Sequence, residues 1–184
     1  MSKLMRPARL SRQRGIALIE VLIAMLVTAF GLAAISLLLV ATMQYGKMAQ
    51  FQNSAQQLAA GYAEQMRANP DGFTGGFYNK TSTYSANASA VSVPTCANTS
   101  QCTATELAAI DAAQWRNKLR TNLPGGDAYV QRAGNAADIW VIWLEPGMQS
   151  GLGSLSIGGA SCPSAAVPAG STLVPRCYFL RVWL

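Results

Sequence analysis

The sequence predicts an α+β chain in which a long N-terminal helix, membrane-spanning in its first half, packs on a small antiparallel β-sheet head. Three observations carry this. Val21 to Met43 is a run of 23 residues without a charge, long enough to cross a bilayer as a helix. Residues 44–68 continue it without a proline and are rich in Ala, Gln, Met, Leu and Glu, all good helix formers. The β-branched and aromatic runs come only after the helical stretches, which favours an antiparallel sheet over a doubly wound one.

The chain opens on a basic leader over residues 1–15. Lys3, Arg6, Arg9, Arg12 and Arg14 supply five of the fourteen bases, and the leader has no acid. Without it the net charge of +6 falls to +1, with nine bases against eight acids. The basic balance therefore argues for a cytoplasmic N-terminal tail by the positive-inside rule, not for a nucleic-acid-binding surface.

The span expected over residues 16–43 is interrupted only by Glu20, Thr28, Gly31, Ser36 and Thr42. A cleaved secretory signal has a shorter apolar core and a cut after it; here the glycine lies before the core, so the helix is expected to stay in the mature chain. A soluble continuation follows over residues 44–69. Met48, Phe51, Ala55, Leu58, Tyr62 and Met66 recur at three- and four-residue steps, an amphipathic stripe. Asn69-Pro70-Asp71-Gly72 stops the helix. Residues 16–68 would extend about 80 Å as one helix, with Gly31, Gly46 and Gly61 as points of weakness.

The remainder, residues 70–184, forms the head. Residues 70–102 read as an irregular connection with at most one short strand. Thr103 and Glu106 form a capping-box signature for a helix over 104–122, with Leu107, Ile110, Trp115, Leu119 and Leu123 as its apolar stripe. Strands are expected over residues 128–131, 139–144, 154–157 and 178–183. Trp140 and Trp143 are three apart in one strand and so point to opposite faces. Trp115 and one of that pair are expected in the core.

Glu20 is the only charged side chain between Arg14 and Lys47. An acid at the edge of a membrane span is costly and usually faces a partner. It lies four residues after Ile16, on the same helix face. Cleavage after Gly15 would turn the Ile16 amide into a positive α-amine one turn from the carboxylate, an arrangement suited to pairing with copies or relatives of the chain. The simpler alternative is that Glu20 snorkels to the headgroups and does nothing else.

Cys96, Cys102, Cys162 and Cys177 all lie beyond the span. With the basic end inside, they reach the oxidising side, where an even count reads as disulfides. Four cysteines allow three connectivities; Cys96–Cys102 and Cys162–Cys177 are favoured because each closes a local loop rich in turn residues. No metal or cofactor is expected, since the chain lacks histidine and close cysteine spacing. Without histidine, and with its acids spread singly, the chain shows no acid–base pair or nucleophile triad, so no enzyme is expected. Arg116, Lys118, Arg120, Arg132, Arg176 and Arg181 are scattered and read as solvated surface, the three on the helix favoured by its dipole. They make no case for DNA.

Arg14 to Val21, with Gly15, Ile16 and Glu20, resembles the class III signal of type IV pilins and type II secretion pseudopilins. The resemblance implies cleavage after Gly15 by a prepilin peptidase, N-methylation of Ile16 (where phenylalanine is more usual) and a role for Glu20 in assembly. Glu64-Gln65-Met66-Arg67-Ala68-Asn69-Pro70, together with Trp115, Leu119 and Leu123-Pro124-Gly125, resembles the PilV minor pilins. That implies a structural subunit of the inner membrane, with its head periplasmic, which joins other minor pilins and the major pilin to prime and cap an extracellular pilus. A tip adhesin is a further partner consistent with the resemblance. The alternatives are a type II secretion pseudopilin and an unprocessed, single-span anchored binding protein.

Overall fold

A computed structural model describes residues 18–98, 101–145, 162–168 and 175–184. It divides into two compact units, Met1–Tyr45 and Gly46–Leu184. Helix α1, Leu18–Ala68, contributes to both and runs through Gly31, Gly46 and Gly61. The strand expected over 154–157 lies outside the described residues.

In the first unit every side chain from Leu18 to Val40 is exposed. The polar interruptions turn inward on the helix itself. The Thr28 hydroxyl meets the Ala24 and Met25 carbonyl oxygens at 3.0 and 2.9 Å. Ser36 donates to the Leu32 carbonyl and Thr42 to that of Leu39, each at 2.9 Å. Such back-bonding satisfies a hydroxyl without water, which an apolar surround demands.

In the second unit the stripe on α1 is buried at Ala55, Ala59, Tyr62, Ala63 and Met66, with Phe51 and Leu58 packed at its edge. Asn69 does more than stop α1. Its side chain accepts from the Gly72 N–H at 3.1 Å and opens a five-residue helix, α2, Pro70–Thr74. The expectation of a plain stop is thus corrected: Asn followed by Pro is also a helix-start signal. The Asn69 amide reaches on to the Ala104 carbonyl at 2.8 Å, tying α2 to helix α3, Ala104–Asn122.

α3 begins at Thr103 with a complete capping box. The Thr103 N–H and hydroxyl donate to a Glu106 carboxylate oxygen at 2.8 and 2.9 Å. Its buried face is Ala108, Ala113, Trp115 and Leu119. Leu107, expected on that face, is exposed, and Ala108 is buried in its place. Trp115 stacks on Tyr62 with ring centroids 3.8 Å apart and planes 4° from parallel. Its indole N–H donates to the Leu58 carbonyl at 2.8 Å. Tyr62 donates to the Tyr78 carbonyl at 3.1 Å, and Tyr78 donates to Asp111 Oδ2 at 2.7 Å. Burial pushes both phenols above their ordinary pKa, so they remain donors.

The sheet is an antiparallel meander of β1 (Asp127–Ala133), β2 (Ala136–Trp143) and β3 (Arg176–Trp183). Gly134 and Asn135 make the two-residue β1–β2 turn, and Gly134 has φ +65°, a backbone that favours glycine. Lys80 and Val130 form one antiparallel bridge on β1, all that the described residues show of a strand in the 70–102 connection. Strand alternation separates two apolar layers. Val130, Ile139, Val141, Trp143 and Val182 join the layer containing Tyr62 and Trp115. Tyr129, Ile142 and Cys177 form the other with Ala166, and Trp140 packs against it. Trp143 is therefore the core tryptophan of its pair.

The six scattered bases need correction as a group. Arg176 pairs with Glu145, both buried. Arg181 forks onto Asp138 with two contacts of 2.6 Å. Arg132 lies over Phe73 and donates to the Thr74 carbonyl at 2.7 Å, and Arg120 donates to the Ser89 carbonyl. Lys118 matches the expectation, being exposed. Acids that look isolated in the chain meet bases across the sheet.

Candidate functional site

The candidate site is the head of the apolar helix. Glu20 lies in the first turn of α1 as described, among exposed Leu18, Ile19, Leu22 and Ile23. Among the described residues it has no ion-pair partner. Gly15 and Ile16 lie outside those residues, so the structure assigns no distance between Ile16 and Glu20.

From Leu18 to Tyr45 the helix would rise about 42 Å, enough for a hydrocarbon core of roughly 30 Å. By length and composition this is the one helix among the described residues able to span a membrane. Its chemistry is association: an exposed apolar surface with one carboxylate that hydrocarbon would penalise unless it is neutral or paired.

The cysteines form two disulfides, Cys96–Cys102 and Cys162–Cys177, with Cα–Cα distances of 5.2 and 5.3 Å. The first closes the connection just before α3. The second holds residues 162–168 against β3, where Ala166 is fully buried and accepts from the Tyr84 N–H at 2.9 Å. Among the described residues, no group of three or more His, Cys, Asp or Glu converges as metal ligands.

Sequence reasoning overlooked Lys80. Its ammonium meets Asp127 Oδ1 at 3.0 Å and the Ala128 carbonyl at 2.7 Å, with both side chains nearly buried. Its only signal was an isolated base in a polar loop, which does not reveal a partner 47 residues away.

Two family models match the chain. One, the prokaryotic N-terminal methylation motif, covers residues 10–36. The other, described as Type IV pilin Tt1218, covers residues 40–113. The first includes Gly15, Ile16 and Glu20; the second includes α1 from residue 40 onward, α2 and the first half of α3. No curated protein and no solved structure gives a significant match. The methylation motif implies processing by a prepilin peptidase and assembly with other pilins, and the long apolar helix fits membrane anchoring. With a methylation motif leading into a long helix packed on a three-stranded antiparallel sheet, the chain belongs to the type IV pilin family, as a subunit of the class III signal type.

Proposed function

We propose that the chain is a minor pilin of PilV type, a structural subunit that helps initiate pilus assembly and is carried near the pilus tip, supporting twitching motility and adhesion. Residues 1–15 are the leader removed by the prepilin peptidase. Residues 16–43 are held in the inner membrane and 44–69 continue the helix outside it. The head over 70–184 is periplasmic before assembly and extracellular after it.

The observation that carries this reading is the solitary Glu20 on the stretch of α1 from Leu18 to Val40, whose side chains are all exposed and otherwise uncharged. After cleavage behind Gly15 and methylation of Ile16, the α-amine of a neighbouring subunit would neutralise Glu20 in the membrane. That pairing fixes axial register more than it adds stability. Other minor pilins and the major pilin are the partners it would select, with a tip adhesin beyond them.

The test is the N-terminus of the membrane-extracted protein by mass spectrometry, with and without the prepilin peptidase, together with recovery of the protein in sheared pili. The reading requires a peptide beginning at N-methylated Ile16 that is lost without the peptidase, and presence in pili. An intact Met1 end in both backgrounds would leave a plain anchor. Processing with loss of secretion instead of twitching in the deletion strain would make it a secretion pseudopilin.

A further inference from the structure

Among the described residues, Arg116 on α3 makes no ion pair and no side-chain hydrogen bond. Arg116 is half-buried, its Nε is shielded from solvent, and no hydrogen bond satisfies that nitrogen. A shielded guanidinium nitrogen without an acceptor is disfavoured. The helix dipole does not account for it, because Arg116 stands six residues before the end of α3 at Asn122, and that effect fades beyond the last turn.

None of the eight side-chain carboxylates of the chain pairs with it. Glu64 pairs with Arg67, Asp127 with Lys80, Asp138 with Arg181 and Glu145 with Arg176. Glu106 is held in its capping box and Asp111 by Tyr78. Asp71 sits in the first turn of α2, and Glu20 belongs to the apolar helix. These are all eight acids of the sequence. The surroundings are basic as well: Arg116 is close enough to repel both Lys80 and Arg120.

The guanidinium lines a groove of about 390 Å³ whose walls are Val91, Pro94, Ala109, Ala112 and Ala113. One wall is α3. The other is the extended strap before the first disulfide, held on α3 by Asn117, whose amide exchanges two 2.8 Å hydrogen bonds with the Val91 backbone. Alanines on the helix wall let another backbone approach closely, and Arg116 supplies a fixed positive fork for a carboxylate.

We infer that this groove binds an acidic peptide segment of another pilin subunit, with Arg116 taking its Asp or Glu side chain. The inference rests on the reading of the chain as an assembling pilin and adds the chemistry of one contact.

The test places a photoreactive benzophenone side chain at position 92, where Ser92 lines the groove, in the full-length protein in its own cells, and maps the captured peptide by mass spectrometry. The expected product joins position 92 to a segment of another pilin subunit that carries Asp or Glu. Its yield falls about tenfold or more in Arg116→Glu, and changing the captured carboxylate to Lys restores it. Arg116→Gln also loses the product while melting no lower than the parent, as expected when a half-buried charge without a partner is removed. A product with lipid or polysaccharide alone, a product insensitive to Arg116→Gln, failure of the charge swap, or no product while the protein is present in sheared pili each overturns the groove and leaves the pilin reading standing. An unprocessed protein absent from pili overturns both.

Discussion

Between Leu18 and Tyr45 there is one charged side chain, Glu20, and it has no ion-pair partner among the described residues. Between Gly46 and Leu184, four carboxylates are paired with bases, and three of those carboxylates are nearly buried. Apolar residues divide the same way. Those from Leu18 to Val40 are exposed, whereas Tyr62, Trp115, Ile139, Val141 and Trp143 are buried in the second unit. The head spends its chemistry on folding; the N-terminal half of α1 keeps its chemistry for other molecules. Substitutions in the head should therefore move stability, and those in the apolar helix should move association alone.

The strongest test on the head side is Trp115→Ala. It removes the ring stacked on Tyr62 and leaves the Leu58 carbonyl without its donor. A loss of about 3–5 kcal/mol is expected, measured as the unfolding free energy of the head in denaturant. A loss below 1 kcal/mol would show that α1 and α3 are not locked there.

The disulfides sharpen the comparison inside the head. Cys162–Cys177 closes a separation of 15 residues and Cys96–Cys102 one of 6. Loop-closure entropy assigns about 3 kcal/mol to the first and about 2 kcal/mol to the second. Replacing each pair with serine should lower the melting temperature in that order, with the longer loop also loosening residues 162–168. Equal losses would mean that the unfolded chain is not the source of the difference.

The start of α3 gives a test by pH. The backbone N–H groups of Thr103 and Ala97, helped by the Thr103 hydroxyl, hold the Glu106 carboxyl below its ordinary 4.5. A depressed native pKa contributes stability that is present above the unfolded value and is lost as pH falls through the native one. Glu106→Gln should therefore flatten the acid side of the stability profile below about pH 4.5. An unchanged profile would remove the capping box from the acid response.

The smallest effect is a gain. A Cβ on Gly61 would meet nothing within 4 Å, so Gly61→Ala should stabilise the head by about 0.5–1 kcal/mol in the same denaturant measurement. A loss would mean that α1 needs glycine there for a reason outside the head.

Local signals made much of this legible in the sequence. The capping box at Thr103 and Glu106, the apolar stripe on α1, and the opposite facing of Trp140 and Trp143 each depend on residues a few positions apart. Gly134-Asn135 is also a local hairpin signal. What stayed hidden depends on distance in the chain. The pairing of Lys80 with Asp127, of Asp138 with Arg181 and of Glu145 with Arg176 is set by the sheet and by the bridge of Lys80 to Val130, so scattered charges looked solvated. The second role of Asn69, as the start of α2 and a tie to Ala104, was masked by its first role as a stop. For the candidate site the legibility is reversed. Gly15, Ile16 and Glu20 form a signal within six residues, and the family match covers the same stretch.

Recovery of Glu20→Ala protein in sheared pili, compared with the membrane fraction and with the melting temperature of the head, tests the central claim most directly. The account predicts normal processing after Gly15, an unchanged melting temperature and a marked loss from pili. Normal recovery in pili, or a head that melts lower, would contradict the claim that Glu20 acts between subunits and not within one.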